Sequence, residues 1–307
     1  MTARSWLLGL LLLLTACSSD PIIPPAQADA MSRILEVERI ALLPEEVMET
    51  SGLAERHGRL WTINDSGNRP LLYRLSEDGR EIDRRIRPLG AINVDWEALA
   101  QDETHLHILD CGNNRGNRDW LQLYSVRWQD LDAAPDGASV PATRINFRFA
   151  DAERVVRLHD HDNDCEAATV VDGKIWIFTK NWADTHTRHY ILDPKKPDQE
   201  LVSQGRYPVH GLITAADYDA ETGMLVLLGY TVRRFSSRAF VWTVPVNEGA
   251  FDWEVAQYHV VEPPGQWEAV LWQQGDLLLT RERSILGDTQ LGIIRMDQPR
   301  VEPLPER

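Results

Sequence analysis

A short block recurs five times along the chain, and each copy leads into an apolar strand. The copies read Ser51-Gly52-Leu53-Ala54, Glu97-Ala98-Leu99-Ala100, Glu166-Ala167-Ala168-Thr169, Thr214-Ala215-Ala216-Asp217 and Glu268-Ala269-Val270-Leu271. In four of them an aliphatic residue follows nine positions after the first: Leu60, Leu106, Ile175 and Leu277. The fourth copy reaches Leu225 two residues later, with Glu221 and Thr222 of a turn as the insertion. Starts at 51, 97, 166, 214 and 268 give intervals of 46, 69, 48 and 54. A unit of that length built from strands cannot bury its apolar face alone. It must stack on its neighbours, as in a propeller or a β-solenoid.

The strands after each block are short and almost continuously apolar, for example Leu60-Trp61-Thr62-Ile63 and Ile175-Trp176-Ile177-Phe178, as strands covered on both faces are. A third strand follows a polar loop in every copy, and a fourth alternates polar and apolar residues: Glu81 to Ile86, Thr143 to Phe149, Glu200 to Arg206 and Asp252 to Val260. The fifth copy lacks its fourth strand, whereas Ile34 to Ala41 alternates well ahead of the first copy. Placed at the outer edge of the last blade, that segment closes the ring and hides an open edge. The expectation is an all-β, five-bladed β-propeller over residues 33–307; a six-bladed ring drawing on the termini and the 69-residue interval is the rival. Gln129 to Ala142 reads as an exposed loop, and Trp61, Trp176, Trp242 and Trp272 as core.

Residues 1–17 carry a separate message. Arg4 gives a charged start, Trp6 to Leu14 an apolar run too short to span a bilayer, and Leu14-Thr15-Ala16-Cys17 a small-residue processing site. This segment resembles the lipobox of bacterial lipoproteins, which implies lipidation of Cys17. An ordinary signal peptide cut nearby is the alternative. Ser18 and Ser19 in place of an aspartate match the outer-membrane sorting pattern, so the resemblance implies a periplasm-facing outer membrane lipoprotein. Residues 18–32, with Pro21, Pro24 and Pro25, read as a flexible tether.

The chain holds 47 Asp and Glu against 32 Lys and Arg. That balance argues against nucleic acid and anionic headgroups as partners and leaves the lipid on Cys17 as the membrane contact. It suits divalent cations, cationic ligands or plain solubility.

In a propeller, the loop entering the innermost strand and the loop joining strands two and three open on one face. Here the entering loops bring Asn93, Asp95, Glu97, Asp162, Asp164, Glu166, Asp217 and Glu268; the second loops bring Asp65, Asn113, Asn114, Lys180, Tyr230 and Glu282. Three glutamates at one repeat position, Glu97, Glu166 and Glu268, would ring the channel. Like charges in partial burial raise one another's pKa unless neutralised. Lys180, Arg115, Arg281 and Arg283 are available for that, and so is a Ca²⁺ ion, which takes carboxylate and amide oxygens. The structural alternative is that the acids bond backbone amides at strand entries. His159-Asp160-His161-Asp162-Asn163-Asp164 is a weaker candidate for a transition metal. Gly-x-Ser-x-Gly, phosphate-loop and His-Glu-x-x-His motifs are missing, so the hydrolases and nucleotide binders they mark are excluded.

Cys111 lies in a second loop and Cys165 at the next strand entry, neighbours on that face. Export to an oxidising compartment predicts a Cys111–Cys165 disulfide; free thiols or thiolate metal ligands are the rivals.

The segments Asn64-Asp65-Ser66-Gly67-Asn68, Asp95-Trp96-Glu97-Ala98-Leu99-Ala100 and Asp110-Cys111-Gly112-Asn113-Asn114 resemble those of bacterial propellers related to the phytase-like and regucalcin/gluconolactonase-like groups. The resemblance implies Ca²⁺ at the channel mouth, hydrolysis of lactones or esters in some members, and Glu97, Asn113, Asn114, Glu166, Asp217 and Glu268 as candidate residues. Ser51 and Thr214 depart from the glutamate pattern, and those groups are usually six-bladed. Two functions follow: a binding or scaffold module for a small ligand or another envelope protein, or a metal-dependent hydrolase of esterase, lactonase or phosphoesterase type.

Overall fold

The computed structural model describes residues 33–152, 159–233 and 236–296. Cys17 and the tether lie outside the described residues. Among the described residues no helix is long and apolar enough to cross a membrane.

Five antiparallel sheets stand in a ring, one per sequence block. Their innermost strands are Thr50–Arg56, Trp96–Gln101, Cys165–Val171, Leu212–Asp219 and Trp267–Gln273. Each touches the next, and the fifth touches the first, so the ring is closed with five blades rather than six. The walls between blades are filled by the apolar second strands and by tryptophans from the first three strands of the blades. Trp61, Trp176 and Trp242 are buried as expected, with Trp96 and Trp267 beside them, whereas Trp272 is only partly covered at the blade 4–blade 5 seam.

The outer strands are where the expectation needs correction. Glu38–Leu42 does pair antiparallel with Gln290–Ile294 and completes the last blade. Its predecessor Arg33–Glu36 breaks away at Val37 and runs parallel to Gln257–Glu262, the outer strand of blade 4. The span Glu200 to Arg206 is likewise two strands: Gln199–Leu201 pairs parallel with Thr143–Phe149 in blade 2, and Gly205–Tyr207 is the outer strand of blade 3. Gln129 to Ala142 is no plain loop. It holds most of a short helix, Trp128–Ala133, that buries Trp128 and Leu131, then Ser139–Val140 running parallel to the outer strand of blade 1. The rule behind all three is that the chain approaching an outer strand first latches onto the blade before it. Blade 4 does this with an aromatic side chain: Phe251 packs on Trp176, Phe178, His189 and Tyr207 of blade 3.

Candidate functional site: the acidic channel mouth

Every innermost strand carries a β-bulge at the same repeat position. The register shifts between Thr50 and Gly52, Trp96 and Ala98, Cys165 and Ala167, Ile213 and Ala215, and Trp267 and Ala269. The extra residue is therefore Ser51, Glu97, Glu166, Thr214 or Glu268, the first residue of each sequence block. A bulge bends the strand and re-aims a side chain that the regular pleat would direct elsewhere. Two of the five act as latches: the Ser51 hydroxyl donates to the Glu97 carbonyl at 2.9 Å, and the Thr214 hydroxyl to the Trp267 carbonyl at 2.9 Å. The other three supply three of the five carboxylates that line one cavity.

That cavity, of about 130 Å³, is lined by Ser51, Asp65, Glu97, Asn114, Glu166, Lys180, Tyr230, Gln266, Glu268 and Glu282. Carboxylate oxygens of Asp65, Asp95 and Glu97 all lie within 4.8 Å of one another. Gly112 makes that crowding possible, since a Cβ there would stand 2.2 Å from Glu97 Oε1 and 2.5 Å from Asp95 Cγ. Lys180 Nζ, buried above the rings of Trp182 and Tyr230, sits 3.1 Å from Glu166 Oε2. The second oxygen, Glu166 Oε1, is buried without a hydrogen-bond partner.

Five carboxylates against one lysine in this lining set the electrostatics. Burial, then Asp65 and Asp164, push Asp95 up to about 7. Burial, then Glu166, Asp65 and Asp95, push Glu97 well above the usual carboxylate range. Burial raises Glu268 to about 7 against the pull of Lys180, and burial with Glu268 and Asp65 raises Glu282 to about 8. Asp65 is raised chiefly by burial. Burial also pushes Glu166 up, with the Lys180 ammonium opposing it. For Lys180 itself burial works downward, but Glu166, Tyr230 and Glu268 outweigh it and hold the ammonium above the ordinary lysine value.

The remaining sequence candidates are placed elsewhere. Asp164 spends both oxygens on structure, accepting from the Asn113 N–H at 2.7 Å and from Trp182 Nε1 at 2.8 Å. Asn113 closes its own turn through Arg118 N–H and C=O. Asp217 is not at an entry: it lies far along its strand and ties three blades, accepting from Thr169 Oγ1 and from the Trp272 N–H. Of the basic residues offered as neutralisers, only Lys180 reaches the ring. Arg281 bonds the Asp288 carbonyl and Gln290, Arg283 pairs with Glu45, and Arg115 is exposed. His161 bonds the Asn114 carbonyl with one ring nitrogen and the Asn163 N–H with the other, and His159 stacks on Trp182. Ser51 and Gln266 joined the mouth without being singled out as candidates. Their signal was the repeat position in one case and the residue before the Trp-Glu pair in the other.

Cys111 and Cys165 form the disulfide, with Cα atoms 5.3 Å apart. It joins the loop that carries Gly112 to the first residue of the strand that carries Glu166, so one covalent link spans the wall between blades 2 and 3.

These features define the class: a five-bladed β-propeller with an acidic, lysine-bridged channel mouth. No protein-family model matches the chain, and no curated protein matches it. Solved structures match in shape. An exo-β-1,3-galactanase from Phanerochaete chrysosporium, held with β-1,3-galactotriose, aligns at TM-score 0.54 and 8% identity over 84% of this chain and 63% of its own. The catalytic domain of an α-L-arabinofuranosidase from Coprinopsis cinerea aligns at TM-score 0.50 and 10% identity, over 86% of this chain and 97% of its own. This chain thus spans less than two thirds of the galactanase. At such identities the likeness is one of fold.

Proposed function

We propose that the protein is an outer membrane lipoprotein, anchored through lipid on Cys17 and facing the periplasm, whose channel mouth binds a divalent cation and through it a small ligand or another envelope protein. The observation that carries the cation reading is the buried, unpartnered Glu166 Oε1 beside three carboxylates whose oxygens crowd within 4.8 Å. Buried polar atoms without partners are rare and costly, and a cation at the mouth would satisfy this one. The donors are carboxylates with the amides of Asn114 and Gln266, a hard oxygen set that suits Ca²⁺ rather than a thiolate- or imidazole-seeking metal. Binding must displace the protons that burial keeps on Asp95, Glu97 and Glu282, so cation uptake releases acid. Adding CaCl₂ to chelator-treated protein at pH 7 in a pH-stat should release protons and raise the melting temperature. No proton release and no shift with Ca²⁺ or Mg²⁺ would end this reading. The anchor is tested separately: palmitate labelling and outer-membrane fractionation should both be lost in Cys17→Ser.

A hydrolase is the second reading, favoured by Glu282 and Glu268, carboxyls held near neutrality and therefore suited to proton transfer. A bound cation would supply polarisation of a carbonyl or phosphoryl oxygen. Turnover in an esterase, lactonase and phosphoesterase panel that Glu282→Gln removes while Ca²⁺ binding persists would select the hydrolase over the binding module.

A further inference from the structure

A second pocket opens at the far end of the propeller, between blades 4 and 5, apart from the mouth. It is built on the hairpins that join inner to second strands, the strand ends opposite the bulges, with Met224 from blade 4 and Trp272 from blade 5. Leu35 and Met296 add apolar wall, and the cavity measures about 300 Å³. Two lining residues carry buried polar atoms with no partner, His259 Nδ1 and Trp272 Nε1. His259 is only 6% exposed, so water from outside does not substitute. Leaving such an atom unsatisfied costs about 1–3 kcal/mol, and native structures keep few of them. Two beside one cavity point to a ligand that completes them.

The charges choose the ligand. Arg33 stands exposed at the rim and makes no ion pair among the described residues. The acid that also lines the pocket, Asp219, is already engaged by the Glu221 N–H and the Thr222 hydroxyl. Burial and the nearby Arg33 keep the His259 ring below its ordinary pKa, hence neutral. The free groups are thus a guanidinium, an indole N–H and a neutral imidazole that can carry its N–H on Nδ1, all able to donate, next to a thioether- and leucine-lined wall. We propose that this pocket binds a medium-length aliphatic carboxylate, its head on Arg33, His259 Nδ1 and Trp272 Nε1 and its chain along Leu35, Met224 and Met296.

The test titrates the full-length protein with octanoate and follows by NMR the indole N–H signal that Trp272→Phe identifies. The signal should shift saturably, equally with or without a chelator and in Glu97→Gln, which separates this pocket from the mouth. Arg33→Gln, an exposed change that leaves the fold intact, should bind roughly tenfold more weakly, the order of one charge-assisted contact. Met224→Trp should abolish binding by filling the space, and Met296→Phe serves if that variant does not fold. The proposal fails if octanoate causes no shift up to its solubility, or if Arg33→Gln binds with unchanged affinity. It fails equally if the shift occurs only after residues 297–307 are removed, because the chain's own end would then be the occupant.

Discussion

The mouth predicts an unusual response to pH in cation-free protein. A carboxyl whose native pKa is raised keeps its proton after the unfolded chain has lost it, so stability falls as pH rises from the unfolded value to the native one. For Asp95 and Glu268 that fall ends at about 7 and for Glu282 it runs to about 8; Glu97, raised by burial and by Glu166, acts in the same direction. Histidines act in the opposite sense. Burial holds His189 down to about 3 and lowers His259 and His210, so they add stability as the unfolded imidazoles lose protons near pH 6.5. That gain is complete by roughly pH 7.5, which leaves the interval from 7.5 to 8.5 to Glu282, with Glu97 acting in the same direction. Each proton held in excess by the native state is worth about 1.4 kcal/mol per pH unit. Glu282 is partly open to solvent and half titrated near 8, so it should remove about 0.5 kcal/mol across the interval, and Glu97 adds to the fall in the same direction.

For a chain of this size, about 0.5 kcal/mol lowers the melting temperature by roughly 1–2 °C. The assay is thermal unfolding by circular dichroism at pH 7.5 and 8.5, in chelator and in saturating CaCl₂. Chelated protein should melt lower at pH 8.5. With Ca²⁺ bound the carboxyls are already ionised, so the loss should vanish, and the cation should itself stabilise by about 2.7 kcal/mol at a hundredfold excess over its dissociation constant. Chelated protein that melts at the same or a higher temperature at pH 8.5 would refute the claim that these acids are protonated by shared burial. Parallel pH dependence with and without Ca²⁺ would refute their role in holding it.

Other expectations concern single contacts. The Cys111–Cys165 bond closes a separation of 54 residues, so Cys111→Ser with Cys165→Ser should cost roughly 4 kcal/mol in chemical denaturation and weaken Ca²⁺ uptake, because the loop at Gly112 loses its tie to Glu166. Gly112→Ala should drive Asp95 and Glu97 apart, reducing Ca²⁺ affinity by about tenfold or more in calorimetry while leaving the sheet signal unchanged. Asp217→Asn is the contrasting case: it weakens a staple between blades 3, 4 and 5, so it should cost about 1–3 kcal/mol in stability without changing cation affinity.

Blade number, the disulfide and the meeting of Glu97, Glu166 and Glu268 were all legible in the sequence, and for one reason. A repeat fixes the direction of every copy once it fixes that of one, and Cys111 and Cys165 inherit their proximity from the same frame. Where the frame is silent the reading strayed. The latching strands Arg33–Glu36, Gln199–Leu201 and Ser139–Val140 pair across blades, and no periodicity inside one blade encodes a partner in the next. Asp217 fell in a block by alignment, yet it stands three places after the bulge residue Thr214, where the strand has resumed its regular pleat and carries the side chain away from the mouth.

The same contrast locates what is particular to this protein. Fivefold repetition places five bulges, but only blades 2, 3 and 5 present glutamate there, while Ser51 and Thr214 turn inward to neighbouring carbonyls. Lys180 enters from blade 3 alone, and Asp65 and Asp95 crowd Glu97 on one side. The mouth is therefore lopsided: a dense carboxylate cluster at blades 1 and 2 faces an ammonium held by Glu166. A ring of five equal acids would repel itself without favouring any position for a cation. The broken symmetry gathers carboxylates at Asp65, Asp95 and Glu97 and sets Lys180 apart beside Glu166, so on the proposed cation reading an ion would sit between these two groups, and Ser51 and Thr214 shape the mouth by not adding further acids.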